Sequence, residues 1–544
     1  MKKANLIHDI LAARGVKTKA AREAFLNPDY ETSKHDPFLL PDMRVAVDRL
    51  IRARDNHEKV TIYGDYDIDG MVATVILAES LGKFGLDVTT YTPNRFTEGY
   101  GLNIEAIKTI GESDTDLIVT VDCGSLSHEE IAFARECGID TIVTDHHAVA
   151  ETLPPAIATI NPKRADHEYP FRDLAGCGVA FKLVQALQTE MKGLPAGQEK
   201  WLLDLVALGT VCDVVALLDE NRTYVKWGIE VMKKTRRPGL RALIEVAGIK
   251  KTTLNARALG FALGPRLNAA GRLETAELAL ELLQTNDNER ALELAYRLDQ
   301  INKDRRVEQD RIFAEAVEKV SERAADPVIV VSDPSWNEGV IGIVASKLME
   351  RFGRPAFVLA EVAEHSKGSG RSFGDFSMAE VIHATSGIVT RGGGHAAAGG
   401  LTLATERIDE WRQAVNSHYC GLKLTNQSLY LLPQENILQP NFDGLNLDLV
   451  EQIATLEPFG HGNETPVFAV DNVTIVNRRT MGQNNQHVRY IFVDQNGVKL
   501  TTIAFSMADE FTTEPGETVK VWVELALNEW QGRTNVEGRL LRME

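Results

Sequence analysis

The fold is decided by the stretch Thr61-Ile62-Tyr63-Gly64-Asp65-Tyr66-Asp67-Ile68-Asp69-Gly70, in which a short apolar run leads into a cluster of carboxylates. The same order recurs twice, where Leu117–Val121 precedes Asp122 and Thr141–Thr144 precedes Asp145-His146-His147. Each run is short, rich in β-branched residues and followed by a helical pattern, which is typical of a buried parallel strand. The sequence therefore predicts a doubly wound α/β layer.

The polar residues after these runs predict a metal centre. In an open α/β sheet the carboxyl ends of the strands share one crevice, where ligands bind. The side chains that we expect to converge there are Asp67, Asp69, Asp122 and His146, and Asp213, which follows a helical segment over 202–210, would complete the cluster. Crowded carboxylates repel one another unless a cation lies among them. Oxygen ligands with one imidazole suit Mn²⁺ or Mg²⁺ better than zinc, and two such ions about 3.5–4 Å apart clamp a phosphodiester during hydrolysis.

Each motif also has a purely structural interpretation. A single Asp at a strand end is more often a helix cap than a metal ligand, and a His-His pair alone is a weak signal. The presence of acidic and histidine residues after all three runs favours the metal site, with Asp122 bridging the two ions.

Composition limits the classes of protein to which the chain can belong. Its 544 residues are enough for three or four domains, and an apolar fraction of 44% is ample for packed cores. We find no stretch that predicts a transmembrane helix and no apolar segment typical of a signal peptide. The five cysteines are scattered and include no C-x-x-C, which is typical of a protein of the reducing cytosol without disulfides.

A net charge of −18 argues against wholesale electrostatic binding of nucleic acid. Residues 222–257 are an exception, because they carry ten basic residues and two acidic ones, a net +8. We interpret this run as a solvated helical face, with a local nucleic-acid track as the alternative.

The pattern changes along the rest of the chain. Residues 1–45 predict a helical arm, and residues 287–324 a long polar helix of about 55 Å that bridges two domains. A second, smaller α/β unit follows. The tail predicts five strands, with a short helix over Ser506–Phe511 after the third, which is the order of an OB-fold barrel that often grips single strands.

Two glycine-rich segments of the second unit predict phosphate contacts. Glycines let backbone N–H groups approach a phosphate, and an arginine can hold it through two hydrogen bonds. The residues concerned are Ser369, Gly370 and Arg371 in one segment and Gly393, Gly394 and His395 in the other. The alternative is that both segments are simple turns.

Two further segments are candidates for contacts to a DNA strand. Gly264–Arg272 offers Arg266, Asn268 and Arg272, although helix capping with surface arginines explains it equally well. Asn94–Gly101 combines Arg95 with Tyr100, which suits phosphate contact and base stacking, whereas core packing of Phe96 is the alternative.

Taken together, these motifs resemble a known family. Asp65–Gly70, Asp122-Cys123-Gly124, Asp145-His146-His147 and Gly209–Asp213 are similar to the four motifs of the DHH phosphoesterases. The motifs around Arg371 and His395 resemble those of the associated DHHA1 domain. With the long helix, the segment Leu456–Asn463 and the OB-like tail, the chain is similar over residues 40–544 to the RecJ family of bacterial single-strand DNA exonucleases. Cys212 departs mildly from that family, which more often has alanine at this position.

The resemblance implies an architecture and a division of the chain. The expected fold class is α/β, with a doubly wound parallel-sheet DHH domain and a smaller α/β DHHA1 domain joined by a long helix, plus a C-terminal OB-fold β-barrel. The implied units are an N-terminal arm (1–45), the DHH catalytic domain with its helical part (46–285), the linking helix (286–325), the DHHA1 substrate-binding domain (326–425), and a linker with the OB-fold (426–544). We expect no further domain after the barrel.

The resemblance also implies an activity, which is processive 5′-to-3′ hydrolysis of single-stranded DNA to 5′-mononucleotides with two Mn²⁺ or Mg²⁺ ions, in DNA repair and recombination. His147 would stabilise the scissile phosphate, and Arg371 and His395 would hold the 5′-terminal phosphate or its neighbour. Asp65 would shape the turn. The implied protein is a cytoplasmic monomer that does not associate with membranes and has single-strand binding protein and a helicase as partners.

Two rival functions are weighed against this one. Other DHH enzymes degrade short oligoribonucleotides or pyrophosphate, but such chains are much shorter and have no OB-like tail, and a cyclic-dinucleotide phosphodiesterase of this class would carry membrane helices. A DNA-binding scaffold with a decayed site is the non-enzymatic rival. It is disfavoured because every expected ligand position holds an Asp or a His.

Overall fold

The computed structural model describes residues 6–95, 97–425, 427, 430, 436–439, 441–482, 484–530 and 533–544. Residues 1–5 of the predicted arm, Phe96 and part of the predicted linker after 425 lie outside the described residues. Across the described ranges, no helix is both long and apolar enough to cross a bilayer.

Short helices precede the first sheet. They are α1 (Leu6–Ala13), α2 (Lys19–Leu26), α3 (Tyr30–Ser33) and α4 (Met43–Asp55), with a 3₁₀ turn at Pro37–Leu39. Side-chain oxygens cap two of them, since Thr18 accepts a hydrogen bond from Ala21 N–H and Asp29 accepts bonds from Glu31 and Thr32 N–H.

The first sheet is parallel throughout, as the short apolar runs predict. Its strands are β1 (Lys59–Gly64), β2 (Asp87–Tyr91), β3 (Leu117–Val121), β4 (Asp140–Thr144) and β5 (Ala158–Ile160), in the order β2-β1-β3-β4-β5. The helices between and after them are α5 (Ile68–Lys83), α6 (Ile104–Gly111), α7 (His128–Glu136) and α8 (Gly176–Glu190). Separate apolar clusters cover its two faces, with Ile62 in one and Tyr63 in the other, so the sheet is doubly wound.

The register of this sheet aligns the carboxyl ends of four strands. Gly64 pairs with Val121, Val121 with Thr144, and Thr144 with Ile160. The next residue of each strand is therefore at the same level of one edge, and these four residues are Asp65, Asp122, Asp145 and Asn161.

A helical part follows the first sheet. It comprises α9 (Leu203–Cys212), α10 (Asp219–Met232), α11 (Pro238–Val246), α12 (Ala256–Ala258), α13 (Gly264–Leu273) and α14 (Glu277–Gln284), with 3₁₀ turns at Glu199–Leu202 and Lys251–Thr253 and a π-helical turn at Leu259–Leu263. The long helix α15 (Asn288–Glu322) then leads to the second unit. Its 35 residues span about 52 Å at 1.5 Å per residue, close to the predicted length.

The second α/β unit has a mixed sheet. Its elements are β6 (Ile329–Asp333), α16 (Ile341–Phe352), β7 (Ala356–Val362), β8 (His365–Arg371), α17 (Met378–Ala384), β9 (Val389–Gly394), β10 (Ala398–Ala404) and α18 (Ile408–Leu422), with a 3₁₀ turn at Thr405–Arg407. The strand order is β6-β7-β8-β10-β9. Ser369, Gly370 and Arg371 lie in β8, so the alternative of a simple turn is wrong for this segment, whereas Gly393 and Gly394 end β9 and His395 lies in the connection to β10.

The tail forms a closed five-stranded barrel, which confirms the five predicted strands and the OB-like barrel. Its elements are β11 (Asn436–Gln439), α19 (Leu447–Ala454), β12 (Val467–Met481), β13 (His487–Val493), β14 (Lys499–Ala504), β15 (Thr518–Trp530) and β16 (Arg533–Met543). The strands are joined in the order β12-β13-β14-β16-β15, the pairing of β12 with β15 closes the barrel, and β11 adds to β12 outside it.

The short helix predicted over Ser506–Phe511 is wrong, because this segment forms turns. Ser506 has a left-handed backbone with φ 59°, which a helix does not tolerate. The Phe511 amide donates to the Met507 carbonyl and closes the turn. The Phe511 carbonyl accepts hydrogen bonds from the Tyr490 hydroxyl and the Arg478 guanidinium, so tertiary contacts fix the local conformation.

The two ends of the chain share one apolar core. Leu6, Ile10 and Leu11 of α1 are buried in the same cluster as the barrel residues Phe468 and Tyr490. The packing of the amphipathic helix α1 therefore depends on a domain more than 400 residues away in sequence.

Arg222 of α10 holds these ends against the helical part. Its guanidinium lies 3.8 Å from the centre of the Phe25 ring and donates to the carbonyls of Phe25, Glu457 and Pro458. Although Arg222 belongs to the basic run that we interpreted as a solvated face, it is 2% exposed. The solvated-face interpretation is therefore wrong for this residue.

A buried ion pair joins two helices of the first unit. Lys182 of α8 and Glu220 of α10 are both fully buried, and their charged atoms lie 2.9 Å apart. Glu220 also accepts hydrogen bonds from the hydroxyls of Tyr169 and Tyr224 and from the His35 amide. Such a network is costly to break, because removing one partner leaves a buried charge uncompensated.

We predict that Lys182→Met lowers the free energy of unfolding of the first unit by about 3–5 kcal/mol. The measurement is the thermal or denaturant midpoint of that unit. Lys108→Met is the matched control, because Lys108 pairs with Glu105 on the surface and should contribute less than about 1 kcal/mol. Equal effects of the two changes would contradict a structural role for the buried pair.

Candidate metal centre and phosphate groove

The aligned strand ends and two helix termini bring the predicted acidic and histidine residues together. Asp67 is the N-cap of α5, Asp69 lies in its first turn, and Asp213 follows the last turn of α9. Three groups have ligand atoms within 4.8 Å of one another, and they are Asp69–His146–Asp213, Asp122–His146–His147 and Asp65–Asp67–Asp122. Asp65, expected to shape the turn, therefore also faces the cluster.

Buried atoms at the centre of this cluster have no hydrogen-bond partner among the described residues. They are Asp65 Oδ1, Asp122 Oδ1, Asp213 Oδ2 and both ring nitrogens of His146. His146 Nε2 lies 3.1 Å from Asp122 Oδ1 and 3.5 Å from Asp213 Oδ2, but these contacts do not have hydrogen-bond geometry. Buried polar atoms normally have partners, so this arrangement is typical of ligand atoms that face a cation.

The pKa shifts of the cluster have the same cause. Burial, followed by the charges of Asp69 and Asp67, raises the pKa of Asp122 well above its usual value. Burial and the same two carboxylates raise the pKa of Asp213 to about 9. Burial lowers the pKa of His146 to about 4, so the ring is neutral and able to bind a metal at neutral pH. Oxygen ligands with a neutral imidazole fit a hard or borderline divalent cation.

Backbone amides hold the carboxylate of Asp69 in place. At the start of α8, the Gly176 and Cys177 N–H groups donate to Asp69 Oδ2 and Oδ1 at 2.6 and 3.0 Å. A Cβ at Gly176 would lie 2.6 Å from Asp122 Oδ1, and one at Gly209 would lie 2.7 Å from Asp69 Oδ1. These glycines are required because the carboxylates pass directly over them. Gly176 and Cys177 were not predicted from the sequence, although glycines that open a helix after a loop are a usable signal.

His147 is positioned by Asp145, not by the central carboxylates. Its Nδ1 lies 2.8 Å from Asp145 Oδ1, and Asp145 also accepts the amides of His146 and His147. Burial alone would lower the pKa of His147, but the hydrogen bond and charge of Asp145 raise it above the usual value. We assign the Nδ1 proton from this contact, which leaves Nε2 available for a substrate.

Other side chains complete this edge of the sheet. The Tyr100 hydroxyl lies 3.2 Å from the Asp122 carbonyl and 3.1 Å from His147 Nδ1, so this predicted residue lies at the cluster. Asn161 donates to the His147 carbonyl and to Ser125 Oγ. Lys163 is exposed, and its charge acts on Asp213 and His146. Asn161 and Lys163 were not predicted from the sequence, since the strand before them has only three residues.

Arginines from four separate elements converge beside the carboxylates. Burial and the charges of Arg95, Arg305 and Arg371 lower the pKa of Arg272 to about 10, while Asp67 acts in the opposite direction. The guanidinium of Arg95 lies 5.0 Å from the centre of the Tyr66 ring. Arg305 of α15 was missed, and its buried Nε has no hydrogen-bond partner in the described part of the chain. This concentration of positive charge next to the metal cluster is suited to a phosphate group.

The glycine-rich strands form the far wall of this groove. Ser369 of β8 pairs with Gly400 of β10, which pairs with Gly393 of β9, and Gly394 pairs with Gly399. Arg371 pairs with Ala398, whose carbonyl accepts the amide of the exposed His395. The register thus brings Arg371 and His395 to the same end of the sheet.

The start of α16 packs tightly against this wall. A Cβ on Gly342 would lie 2.9 Å from Ser369 Oγ and 3.2 Å from Arg371 Nη2. Ser369 Oγ also accepts a hydrogen bond from Arg371 Nη1 at 3.2 Å.

The three candidate DNA ligands in the segment Gly264–Arg272 differ in their contacts. Arg266 forms an ion pair with Asp299 of α15 at 2.8 Å and donates to the Ala262 carbonyl, so its guanidinium is engaged within the protein. Asn268 is half-buried on the same helix. Arg272, in contrast, lies within the arginine cluster.

The chain matches the family models described as "DHH family, N-terminal domain" over residues 59–210, "DHHA1 domain" over 325–419 and "RecJ OB domain" over 438–541.

Curated relatives extend this match over nearly the whole chain. The single-stranded-DNA-specific exonuclease RecJ of Bacillus subtilis is 37% identical over 97% of the chain, which spans 66% of that relative. The same enzyme of Dickeya dadantii is 35% identical, with coverage of 98% of the chain and 94% of the relative. A crystal structure of RecJ in complex with Mn²⁺ from Thermus thermophilus superposes with a TM-score of 0.81 at 30% identity, over 98% of this chain and 75% of that one.

The raised pKa values predict how the metal-free protein responds to pH. Because the folded pKa of Asp213 is raised from 3.8 to about 9, its contribution to stability is complete below about pH 4 and is lost as pH rises toward 9. The thermal midpoint of the first unit in EDTA should therefore fall over this range.

Asp213→Asn should flatten that fall and raise the midpoint at pH 8 by several degrees, since 1 kcal/mol shifts a unit of this size by about 2–4 °C. Asp55→Asn, on the exposed end of α4, is the control and should leave the profile unchanged. A midpoint of the unmutated protein that does not change with pH would contradict the crowding of carboxylates.

Proposed function

Since the chain belongs to the RecJ family of single-stranded-DNA-specific exonucleases, we propose that it hydrolyses single-stranded DNA from the 5′ end to 5′-mononucleotides with Mn²⁺ or Mg²⁺. The observation that carries the proposal is the cluster of buried carboxylates and a neutral imidazole whose inward atoms have no partner among the described residues. The arginine groove beside it supplies a place for the strand.

The residues that would hold the two ions are Asp67, Asp69, Asp122, His146 and Asp213. When bound, such ions lower the pKa of a water molecule and neutralise charge that develops on the phosphate. The Gly176 and Cys177 amides orient Asp69 for this task, and Asp122 and His146 each belong to two of the three ligand groups.

His147 is proposed to stabilise the scissile phosphate. Asp145 fixes the ring through Nδ1 and favours its charged form, so Nε2–H can donate to a phosphate oxygen as negative charge builds up. Tyr100 packs edge-on against the ring, with the ring centres 5.7 Å apart, and restricts its rotation.

Arg371, with Ser369, Gly393, Gly394 and His395, is proposed to bind the 5′-terminal phosphate, and Arg95 and Arg272 to bind the phosphate at the scissile bond. Arginine forms two parallel hydrogen bonds to phosphate. Binding of the anion offsets the free-energy cost of burying the guanidinium. Arg305 is added to this set because its unpartnered Nε lies among the same charges. The engaged contacts of Arg266 make it the weakest of the predicted DNA ligands.

The barrel is proposed to guide the strand toward this groove. Phe261 of the π-helical turn is 73% exposed, and Arg257 lies 5.5 Å from the centre of its ring. The charge of Arg539, on β16 of the barrel, acts on Arg257, so this turn faces the barrel. An exposed aromatic ring with flanking arginines suits base stacking, which is insensitive to sequence.

The domain assignment, location and partners are part of the same proposal. Residues 46–285 are assigned to catalysis, 286–325 to the connection, 326–425 to the strand end and 426–544 to strand guidance. We place the enzyme as a monomer in the cytoplasm, which fits its free cysteines. A helicase would supply the single strands and single-strand binding protein would coat them.

The first test is digestion of single-stranded DNA that is labelled at the 5′ or the 3′ end, with Mn²⁺ and a duplex control. We expect immediate release of a labelled mononucleotide from the 5′ end, stepwise shortening of the 3′-labelled strand and little digestion of the duplex. Cleavage restricted to oligonucleotides of two to five residues would favour the oligoribonuclease rival, and absence of metal-dependent cleavage would favour the scaffold.

The second test is Asp122→Asn. Asp122 has φ 61°, a conformation that Asn tolerates well, so the fold should be retained. We expect a loss of at least 10³-fold in the rate of cleavage and weaker Mn²⁺ binding in calorimetry, with single-strand binding retained. Asp116→Asn, just before β3, is the control and should keep the unmutated rate of cleavage and the unmutated affinity for Mn²⁺. Full activity of Asp122→Asn would contradict its assignment as a ligand.

A further inference from the structure

A second cavity lies at the far ends of two helices that reach the metal cluster. Its volume is about 540 Å³, and it is lined by Glu79 and Lys83 from the last turns of α5 and by Asp204 from the first turn of α9. The opposite ends of these helices carry the Asp67–Asp69 pair and Asp213. At 1.5 Å per residue, Glu79 is about 15 Å from Asp69 along α5 and Asp204 is about 14 Å from Asp213 along α9, so a molecule bound there would not block the catalytic groove.

The wall of this cavity combines an aromatic face with cations. The guanidinium of Arg236 lies 4.1 Å from the centre of the Trp201 ring, and Arg236 is exposed. Lys83 is also exposed, and neither Lys83 nor Arg236 forms an ion pair with a carboxylate within the described ranges. Two cations without an ion-pair partner in the described ranges thus line the same cavity as an indole, on a chain with a net charge of −18.

One cation of the cavity lining, Arg237, is shared between two carboxylates. Arg237 forms ion pairs with Glu79 and with Asp204, and the Thr235 hydroxyl donates to Asp204 at 2.7 Å. The charged lining residues thus comprise three cations and two carboxylates, a net +1. That excess is available to an anion from outside.

Arg236 differs in its contacts from several other cations of the basic run over 222–257. Arg222 and Lys226 donate to backbone carbonyls, and Lys233 forms an ion pair with Glu230. The charges of these three residues are engaged by carbonyls or a carboxylate of the protein, whereas Arg236 forms no ion pair within the described ranges.

We propose that this cavity binds a nucleoside 5′-monophosphate, with its base against the Trp201–Arg236 pair and its phosphate toward Lys83 and Arg236. Cavities of about 300–1,000 Å³ suit small ligands, and aromatic rings and guanidinium planes are the surfaces on which bases stack. Unpaired cations supply the charge-assisted hydrogen bonds that a phosphate needs. Polar side chains of Gln284, Thr285 and Asn286 on the rim can meet the edge of the base. The identification of this ligand as the reaction product rests on the proposed function, but binding does not.

The test is isothermal calorimetry with dAMP in EDTA, using the full chain. We expect the unmutated protein to bind dAMP, and Trp201→Leu and Arg236→Gln each to weaken binding at least fivefold, in line with the contribution of one stacked base. Deoxyadenosine and inorganic phosphate should each bind at least tenfold more weakly than dAMP, because the site requires both parts. Trp227→Leu is the control, since Trp227 is exposed on α10 outside this cavity and should leave binding unchanged.

The outcomes separate this proposal from the nuclease. If Arg371→Gln abolishes dAMP binding, the ligand occupies the catalytic groove, and the second site is overturned. The second site is also overturned if Trp201→Leu and Arg236→Gln both bind dAMP with unchanged affinity, or if the unmutated protein does not bind dAMP. Trp201→Leu and Arg236→Gln should digest single-stranded DNA at the unmutated rate. Failure of digestion in the unmutated protein contradicts the exonuclease, whereas failure of dAMP binding contradicts only this site.

Discussion

The in-register ends of four parallel strands are the constraint on which the site depends. Because Gly64, Val121, Thr144 and Ile160 are aligned, their successors Asp65, Asp122, Asp145 and Asn161 must lie side by side at one edge. This alignment fixes Asp122 near Asp65, and Asp67, Asp69 and Asp213 lie close to it, so repulsion among these carboxylates is a fixed cost of the native state. That cost is the basis of the affinity for a cation. Because a cation relieves the repulsion, it is bound more tightly here than by carboxylates that stand apart.

Charge of opposite sign is concentrated beside this edge. The arginine cluster draws on a loop, α13, α15 and β8, so it assembles only when both α/β units are docked on the long helix. Each cluster lowers the cost of burying the other, as Asp67 does for Arg272. A phosphodiester needs both kinds of partner, cations for its non-bridging oxygens and carboxylates to hold the metals, and the groove between the two units presents them together.

Much of the fold and the centre of the site follow from local sequence. Short β-branched runs predict strands, and parallel strands align their ends, so the convergence of Asp69, Asp122 and His146 could be predicted without coordinates. The contacts that were missed depend on pairings between distant residues. The Gly176 amide holds a carboxylate 107 residues earlier in the chain, and Asp299 engages Arg266 from another helix. The error over Ser506–Phe511 has the same origin, because tertiary hydrogen bonds override a weak helical pattern.

The core shared by α1 and the barrel has a consequence for biosynthesis. Leu11 leaves the ribosome long before the barrel that covers it can close, since closure requires β16, which ends at Met543. At about 5–20 residues per second, the apolar face of α1 waits roughly 30–100 s for its native neighbours. During translation the apolar face of this helix is therefore exposed, and holding chaperones can bind it. Completion of the last strand lets the barrel close and bury this face.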